Sequence, residues 1–342
     1  MAKFFKKNKK DDIIHCLACS HYCKIKNGQT GICGIRLNEN GKLNLLTYSK
    51  PVALNLDPIE KKPLFHFLPG SQIFSFGTFG CNFRCSFCQN WDISQFPRLN
   101  RDFQKTIKNT SDEWPPEKII EYCLQNNIPS IGYTYNEPTI FIEYCYDTMI
   151  LAKKYGLKNV FVSNGYQSEE TITTIAPYLD AINIDLKSFN NHFYQKFCGA
   201  QLTPVLENIK TFHRLGVWVE LTTLIIPNQN DSEKELEQIA EFIAKIDPNI
   251  PWHISRFFPA YQMQNLLPTP ITTLMNAFQI GKAKGLKFIY VGNVTENDLE
   301  NTYCPQCQTL LIKRIGYKTE GSKYFHQGQC LKCKNKIDGI WQ

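Results

Sequence analysis

The sequence has no apolar run near the roughly 18 residues that a membrane-spanning helix needs, so no span is expected. Its start, MAKFFKKNKKDD, is basic, yet no apolar h-region follows it, which excludes a secretory signal of the usual form. Residues 1–12 read instead as a disordered, solvated basic tail. A strong charge excess is also missing. The formal charge is +7, but it ignores ligated thiolates. A four-iron cluster on three cysteines contributes about −1. Each zinc on four cysteines contributes about −2. With those terms the balance falls to about +2, which gives little reason to expect a nucleic-acid partner.

Cysteine is what the chain has in quantity, with fourteen in 342 residues. In a small secreted protein these would suggest disulfides. Here eleven fall in short metal-ligand spacings and no signal peptide is read, so a reducing cytoplasm is the expected location. The length allows one large core, or one core with small appendages.

The stretch around which the rest is arranged is Gly77 to Trp91, GTFGCNFRCSFCQNW, after the apolar run Ile73-Phe74-Ser75-Phe76. Cys81, Cys85 and Cys88 are spaced C-x3-C-x2-C, with Phe87 before the last, and no fourth cysteine lies nearby in sequence. A four-iron cluster needs four ligands. Three thiolates leave one iron open to a substrate or cofactor, by the logic that separates catalytic from structural zinc. The competing reading is a three-cysteine zinc knuckle or a redox loop.

Two further sets flank this loop. Cys16, Cys19, Cys23 and Cys33, spaced C-x2-C-x3-C-x9-C, suit zinc or a second iron–sulfur cluster, with His15 and His21 as possible substitutes. Cys304, Cys307, Cys330 and Cys333 form C-x2-C…C-x2-C, the pattern of a zinc ribbon. A ribbon of about forty residues has too little core to stand alone, so its metal would stabilise it. Cys123 and Cys145 read as core helix residues, whereas Cys198 could face the site.

From Ile73 onward the chain alternates strand and helix. Strands are expected at Ile73–Thr78, Ser130–Tyr135, Asn159–Ser163, Ala181–Leu186, Val217–Leu224 and Trp252–Phe257, with a seventh at Lys287–Val291. Helices are expected at Pro116–Asn126, Thr139–Tyr155, Ser168–Pro177, Pro204–Leu215, Ser232–Ile246 and Ile271–Lys284. Repeated β-α units imply a parallel sheet, closed as a partial barrel or open and doubly wound. A short β segment, NLLTY, and an extended linker precede it. Polar residues stand at the ends of the strands, where chemistry gathers in such folds. They are Asn136 and Glu137, Asn164 and Gly165, Asp185 and Lys187, Glu220, and His253 and Arg256.

In order, CxxxCxxC, NEP, SNG, DLK and HIS resemble the activating enzymes of glycyl radical enzymes, of the pyruvate formate-lyase-activating type. The agreement is closer to the AmmeMemoRadiSam system radical SAM (S-adenosylmethionine) enzymes. It includes CLACSHYC…GICGIR, DPIEKKPLFHFLPGS, CNFRCSFCQNW, GYTYNEPTIFIEY, NIDLKSF, TTLIIP, HISRFFP, YVGN and NTYCPQC. The family has Pro where this chain has Ser20, a difference in loop stiffness rather than in ligands.

The resemblance implies an α/β fold, a partial (β/α)6 TIM-like barrel. Its expected parts are a Cys-rich metal-binding segment and linker at 13–64, a radical SAM core at 65–293, and a zinc ribbon at 301–342. It implies a [4Fe-4S] cluster on Cys81, Cys85 and Cys88, and an oxidoreductase that reductively cleaves SAM to a 5′-deoxyadenosyl radical. SAM contacts are implied at Asn136, Glu137, Asn164, Gly165, Asp185, Lys187, His253 and Arg256. It further implies an electron donor such as flavodoxin or ferredoxin, and a Memo-type partner or protein substrate. The reading of another class is a zinc-stabilised interaction module without catalysis.

Overall fold

The computed structural model describes residues 3–7, 12–100, 102–108, 112–294 and 298–342. Its centre is an eight-stranded sheet, all parallel except one edge. The strands are β6 (Ala53–Pro58), β7 (Gln72–Gly77), β8 (Ser130–Tyr133), β9 (Lys158–Ser163), β10 (Ala181–Asp185), β11 (Trp218–Ile225), β12 (Trp252–Arg256) and β13 (Ile289–Gly292). They lie side by side in chain order, with β6 antiparallel to β7. Sequential order with helical returns is what repeated right-handed crossovers produce. The inner strands are apolar on both faces, and β8 is buried throughout, as expected for a parallel sheet covered by helices.

The covering helices are α1 (Pro116–Gln125), α2 (Ile142–Lys154), α3 (Glu169–Ile175), α4 (Leu202–Arg214), α5 (Glu233–Ile246) and α6 (Ile271–Ala283). In α4 the buried Leu202, Val205, Ile209 and Phe212 recur at helical spacing, and in α5 so do Leu236, Ile239, Ala240 and Ile243. Ser168 and Ser232 accept hydrogen bonds from Thr171 N and Glu235 N, capping α3 and α5. Among the described residues no helix is long and apolar enough to cross a membrane.

Four expectations change. Within the segment read as a disordered tail, β1 (Phe5–Lys7) pairs with β2 (Ile14–Cys16), which pairs with β3 (Lys24–Ile25), and Phe4 is buried. Residues 1, 2 and 8–11 lie outside the described residues. The NLLTY stretch contributes only its start to a hairpin of β4 (Arg36–Glu39) and β5 (Lys42–Leu45). The extended linker is in part the edge strand β6. Finally, α2 begins after a 3-10 turn at Pro138–Phe141, because Glu137 caps that turn through Thr139 N.

The final region is not a separate appendage. It comprises β14 (Thr302–Tyr303), β15 (Leu310–Ile315), β16 (Lys318–Gly321), β17 (Phe325–His326) and β18 (Gln329–Cys330). Arg314, from β15, is fully buried and donates to Phe65 O at 2.8 Å, Glu300 O and Thr302 Oγ1. Ile340 exchanges backbone hydrogen bonds with His66 and Leu68. The segment between β6 and β7 is therefore sewn to the last strands and runs along the starts of the barrel strands. Phe65 N and His66 N donate to the Glu220 carboxylate of β11, and Asn183 Nδ2 of β10 donates to Pro63 O.

Candidate functional site

The loop that leaves β7 carries the three cysteines and is held from four sides. Gly77 sits so close to the next strand that a Cβ would lie 2.4 Å from Thr134 O. Asn136 Nδ2 donates to Gly80 O, and its Oδ1 accepts from Thr78 N. Arg98 donates to Cys81 O and Phe83 O. Arg84 N and Ser86 N donate to Cys198 O and Phe197 O, both at 2.9 Å, so the residues either side of Cys85 are fixed to the turn before α4.

Cys81, Cys85 and Cys88 open into a cavity of about 790 Å³ at the strand ends. Asn136, Asn164, Asp185, Lys187 and His253 line the same cavity. Five of the eight residues proposed from resemblance thus share one space with the thiols. Lys187 Nζ lies 2.8 Å from Asp185 Oδ2, while Ile184 and Leu186 are wholly buried on the other side of the strand. Burial lowers the affinity of Lys187 for its proton, but Asp185 and the nearby thiols outweigh this and hold its pKa well up.

Three proposed residues stand elsewhere. Glu137 is fully buried and does not line the cavity. Its carboxylate accepts from Thr139 N, Ser163 Oγ and Asn164 N at 2.8–3.0 Å. Burial pushes its pKa up against those donors. It acts through Asn164, whose Nδ2 donates to Asn82 Oδ1 beside Cys81. Gly165 has φ +72, and a Cβ there would meet Ile184 Cγ2 at 2.7 Å, so it serves close packing. Arg256 lies three residues beyond His253, which strand alternation places on the opposite face, and its Nε donates to Thr269 O.

Sequence reading also missed part of the wall. Lys61, Lys62, Pro63, Phe65, Glu300 and Tyr317 line the cavity from the β6–β7 segment and the final region. The only signal for them was the aperiodic DPIEKKP stretch. Glu220, expected at a strand end, instead anchors His253: its Oε2 is 2.6 Å from His253 Nε2. Burial pushes Glu220 up, but His253, His66 and Trp218 outweigh it and hold its carboxyl below the usual range.

The chain matches the Radical SAM superfamily over residues 76–243. It is 43% identical over 330 residues to Methanocaldococcus jannaschii MJ0808, covering 96% of both chains. The chain belongs to the radical SAM superfamily. The pyruvate formate-lyase-activating enzyme of Clostridium pasteurianum is 22% identical over 49% of this chain and 67% of its own. Among solved structures, Streptococcus suis SuiB bound to its precursor peptide SuiA superposes with a TM-score of 0.50 at 14% identity, over 69% of this chain and 51% of that one. That likeness concerns the fold alone.

Radical SAM membership implies a [4Fe-4S] cluster and SAM, and the residues present fit both. The cysteines of the loop are spread more widely than a single ion would need. Among the described residues, the only set of three or more metal-ligating side chains whose donor atoms all fall within 4.8 Å of one another is Cys304, Cys307, Cys330 and Cys333. A four-iron core occupies more space than one ion, so the loop thiols need not converge in that way to hold it. Cys198, wholly buried, accepts from Arg84 N through its carbonyl, which places it next to the Cys85 turn.

The two flanking sets differ. In the final region Cys304 Sγ is 3.5 Å from Cys333 Sγ, and Cys307 Sγ is 3.7 Å from Cys330 Sγ. Thr309 beside Cys307 draws that thiol down to about 6, favouring the ligating form. This group is drawn together as a metal site requires. Cys16, Cys19 and Cys33 are buried and Cys23 is half-buried, with their thiols acting electrostatically on one another. Burial pushes Cys33 up to about 11. Their sulfurs are wider apart than those of the C-terminal set. His21, one candidate substitute ligand, instead faces Asn82 O at 3.0 Å and so braces the radical SAM loop.

Proposed function

We propose that this chain is an activating-enzyme-like radical SAM oxidoreductase of the AmmeMemoRadiSam type, working in the cytoplasm on a protein or small-molecule substrate. The observation that carries this is the opening of three loop thiols into the cavity that also presents Asn136, Asn164, Asp185 and Lys187. When bound and reduced, a four-iron cluster there would supply the electron for cleavage of SAM to methionine and a 5′-deoxyadenosyl radical, which would take hydrogen from the substrate. Cys81, Cys85 and Cys88 would hold the cluster. Lys187 would meet the carboxylate of SAM, and Asp185 its ribose hydroxyls. Asn136 and Asn164 offer amide groups beside the loop, with Glu137 and Asn82 fixing Asn164 and with Thr78 and Gly80 fixing Asn136. Flavodoxin or ferredoxin would supply the electron, and a Memo-type protein is the proposed partner.

The decisive experiment is anaerobic reconstitution with iron and sulfide, then SAM and dithionite, with 5′-deoxyadenosine measured as product. A protein that takes up iron yet forms none of it would overturn the reading.

Lys187→Met should weaken SAM binding by roughly 1.5–3 kcal/mol, the range of a charge-assisted hydrogen bond. That is about a tenfold to hundredfold rise in Kd, with cluster content near normal. An unchanged Kd alongside a lowered Tm would instead make the Asp185–Lys187 pair purely structural.

The C-terminal cysteines are proposed to bind zinc structurally, and the N-terminal four to hold zinc or a second cluster. Replacing Cys330 and Cys333 together with Ser should remove the C-terminal zinc and render residues 301–342 protease-sensitive. Metal analysis finding the same zinc content in both proteins would count against it.

A further inference from the structure

The β6–β7 segment puts two lysines against one carboxylate at the far end of the cavity. Asp57 Oδ1 lies 2.9 Å from Lys61 Nζ, and its Oδ2 lies 2.7 Å from Lys62 Nζ. Asp57 also accepts from Tyr135 OH at 2.6 Å. Among the described residues it is the one carboxylate within ion-pair distance of either ammonium. The corner therefore carries one uncompensated positive charge. Of the two other acids on this side of the cavity, Glu60 accepts from Gly70 N and Thr319 Oγ1 and stands near Arg314. Burial holds Glu300 up to about 7, so its negative charge is partial.

Backbone strain marks the same place. Tyr135 has φ +67, a conformation uncommon for a bulky side chain. It brings the phenol onto Asp57, with the ring 4.6 Å from Lys62 Nζ. Such strain persists where the surroundings over-determine it, commonly at ligand sites. Lys62 is 3% exposed, with Asp57, the Tyr135 ring and the neighbouring Lys61 ammonium about it.

Position along β7 gives the scale. Asp57 pairs with Ile73 at the start of that strand, and the cysteine loop leaves from Gly77 at its end. Four residues of strand separate the two by about 13 Å.

We propose that Lys61 and Lys62 bind an anionic group of the substrate, a carboxylate or a phosphate, and so orient it toward the cysteine loop. The inference rests on the radical SAM reading only in naming that ligand a substrate.

The test uses the reconstituted full chain with SAM bound, titrated by calorimetry with inorganic phosphate and, separately, with acetate. Saturable binding that leaves SAM in place is expected, and the tighter of the two anions identifies the group. Lys61→Met should weaken it about tenfold or more. Asp57→Asn, which removes the single negative charge, should tighten it. These opposite directions separate a charge site from a packing defect. Absence of saturable binding, an unchanged affinity in Lys61→Met, or displacement of SAM by the anions would each overturn the proposal. Formation of 5′-deoxyadenosine by the unsubstituted protein is read in parallel, so a failed corner and a failed radical SAM assignment are told apart.

Discussion

Cys85→Ala is expected to abolish 5′-deoxyadenosine formation and to lower the iron content of the reconstituted protein by about four irons per chain. Two remaining thiolates cannot hold three irons of a four-iron core. The loop itself should survive, because backbone bonds from Arg84 and Ser86 to Cys198 and Phe197 hold it without the thiol. One complication is built into the fold. Cys198 is buried against the same turn, its carbonyl accepting from Arg84 N, and is a candidate substitute ligand. The substitution is therefore best made both alone and with Cys198→Ala. Residual cleavage in the single variant that vanishes in the double variant shows rescue by Cys198. Undiminished cleavage in the double variant would sink the assignment of Cys85 as a cluster ligand.

The second large effect is on stability. Arg36 and Glu143 form a two-pronged ion pair, Nη1 to Oε2 at 2.7 Å and Nη2 to Oε1 at 2.8 Å, with each side chain 2% exposed. Glu143 also accepts from Lys3 N and Phe4 N, so the pair joins the N-terminal cysteine segment to α2. Arg36→Met leaves that carboxylate buried without its cation, which costs about 3–5 kcal/mol. An unfolding entropy of about 2 cal/mol/K per residue turns this into a Tm lower by roughly 4–7 °C. Arg36→Met with Glu143→Met should recover much of the loss, since the stranded charge is gone. Equal destabilisation in the single and double variants would show that packing, not charge, is what Arg36 supplies.

The same pair sets an acid dependence. Burial pushes Glu143 up, but Arg36 and the backbone donors outweigh it and hold its carboxyl below the usual range. A depressed folded-state value stabilises the protein above the unfolded carboxylate pKa of about 4.3, and that stability is lost as pH falls through the folded value. Below about pH 4 the Tm of the native protein should therefore fall more steeply than that of the double variant.

The central sheet and its helices were legible where local chemistry and burial agree. Strand and helix alternate with clear periods from Ile73 to Val291, and Ser168 and Ser232 cap where a cap is expected. The cysteine loop was legible because ligand spacing is a local property of the chain. Side-chain direction was not. Glu137 has the chemistry of a ligand contact, yet its carboxylate turns back on Thr139 and Asn164, a choice decided by neighbours from β9. The edge strand β6 escaped because it is half-exposed and its burial runs against its residue types, with Leu56 exposed and Asp57 buried. Its pairing with β7 becomes visible only once both are in place. Lys61 and Lys62 had no period to betray them, since what positions them is a sheet edge, Tyr135 of a later strand and a hairpin from the far end of the sequence.

That long-range stitching also sets an order of assembly. His66 meets residues near the end of the chain, with a separation of 272 residues to Asp338. Every strand of the central sheet emerges from the ribosome before Ile340 can bond to His66 and Leu68. Contacts so distant carry a loop-closure cost that is met late. Until residue 340 has been made, the segment beneath the sheet is held to it by Glu220 and Asn183 alone among these long-range bonds, and its stitching to Asp338 and Ile340 forms late.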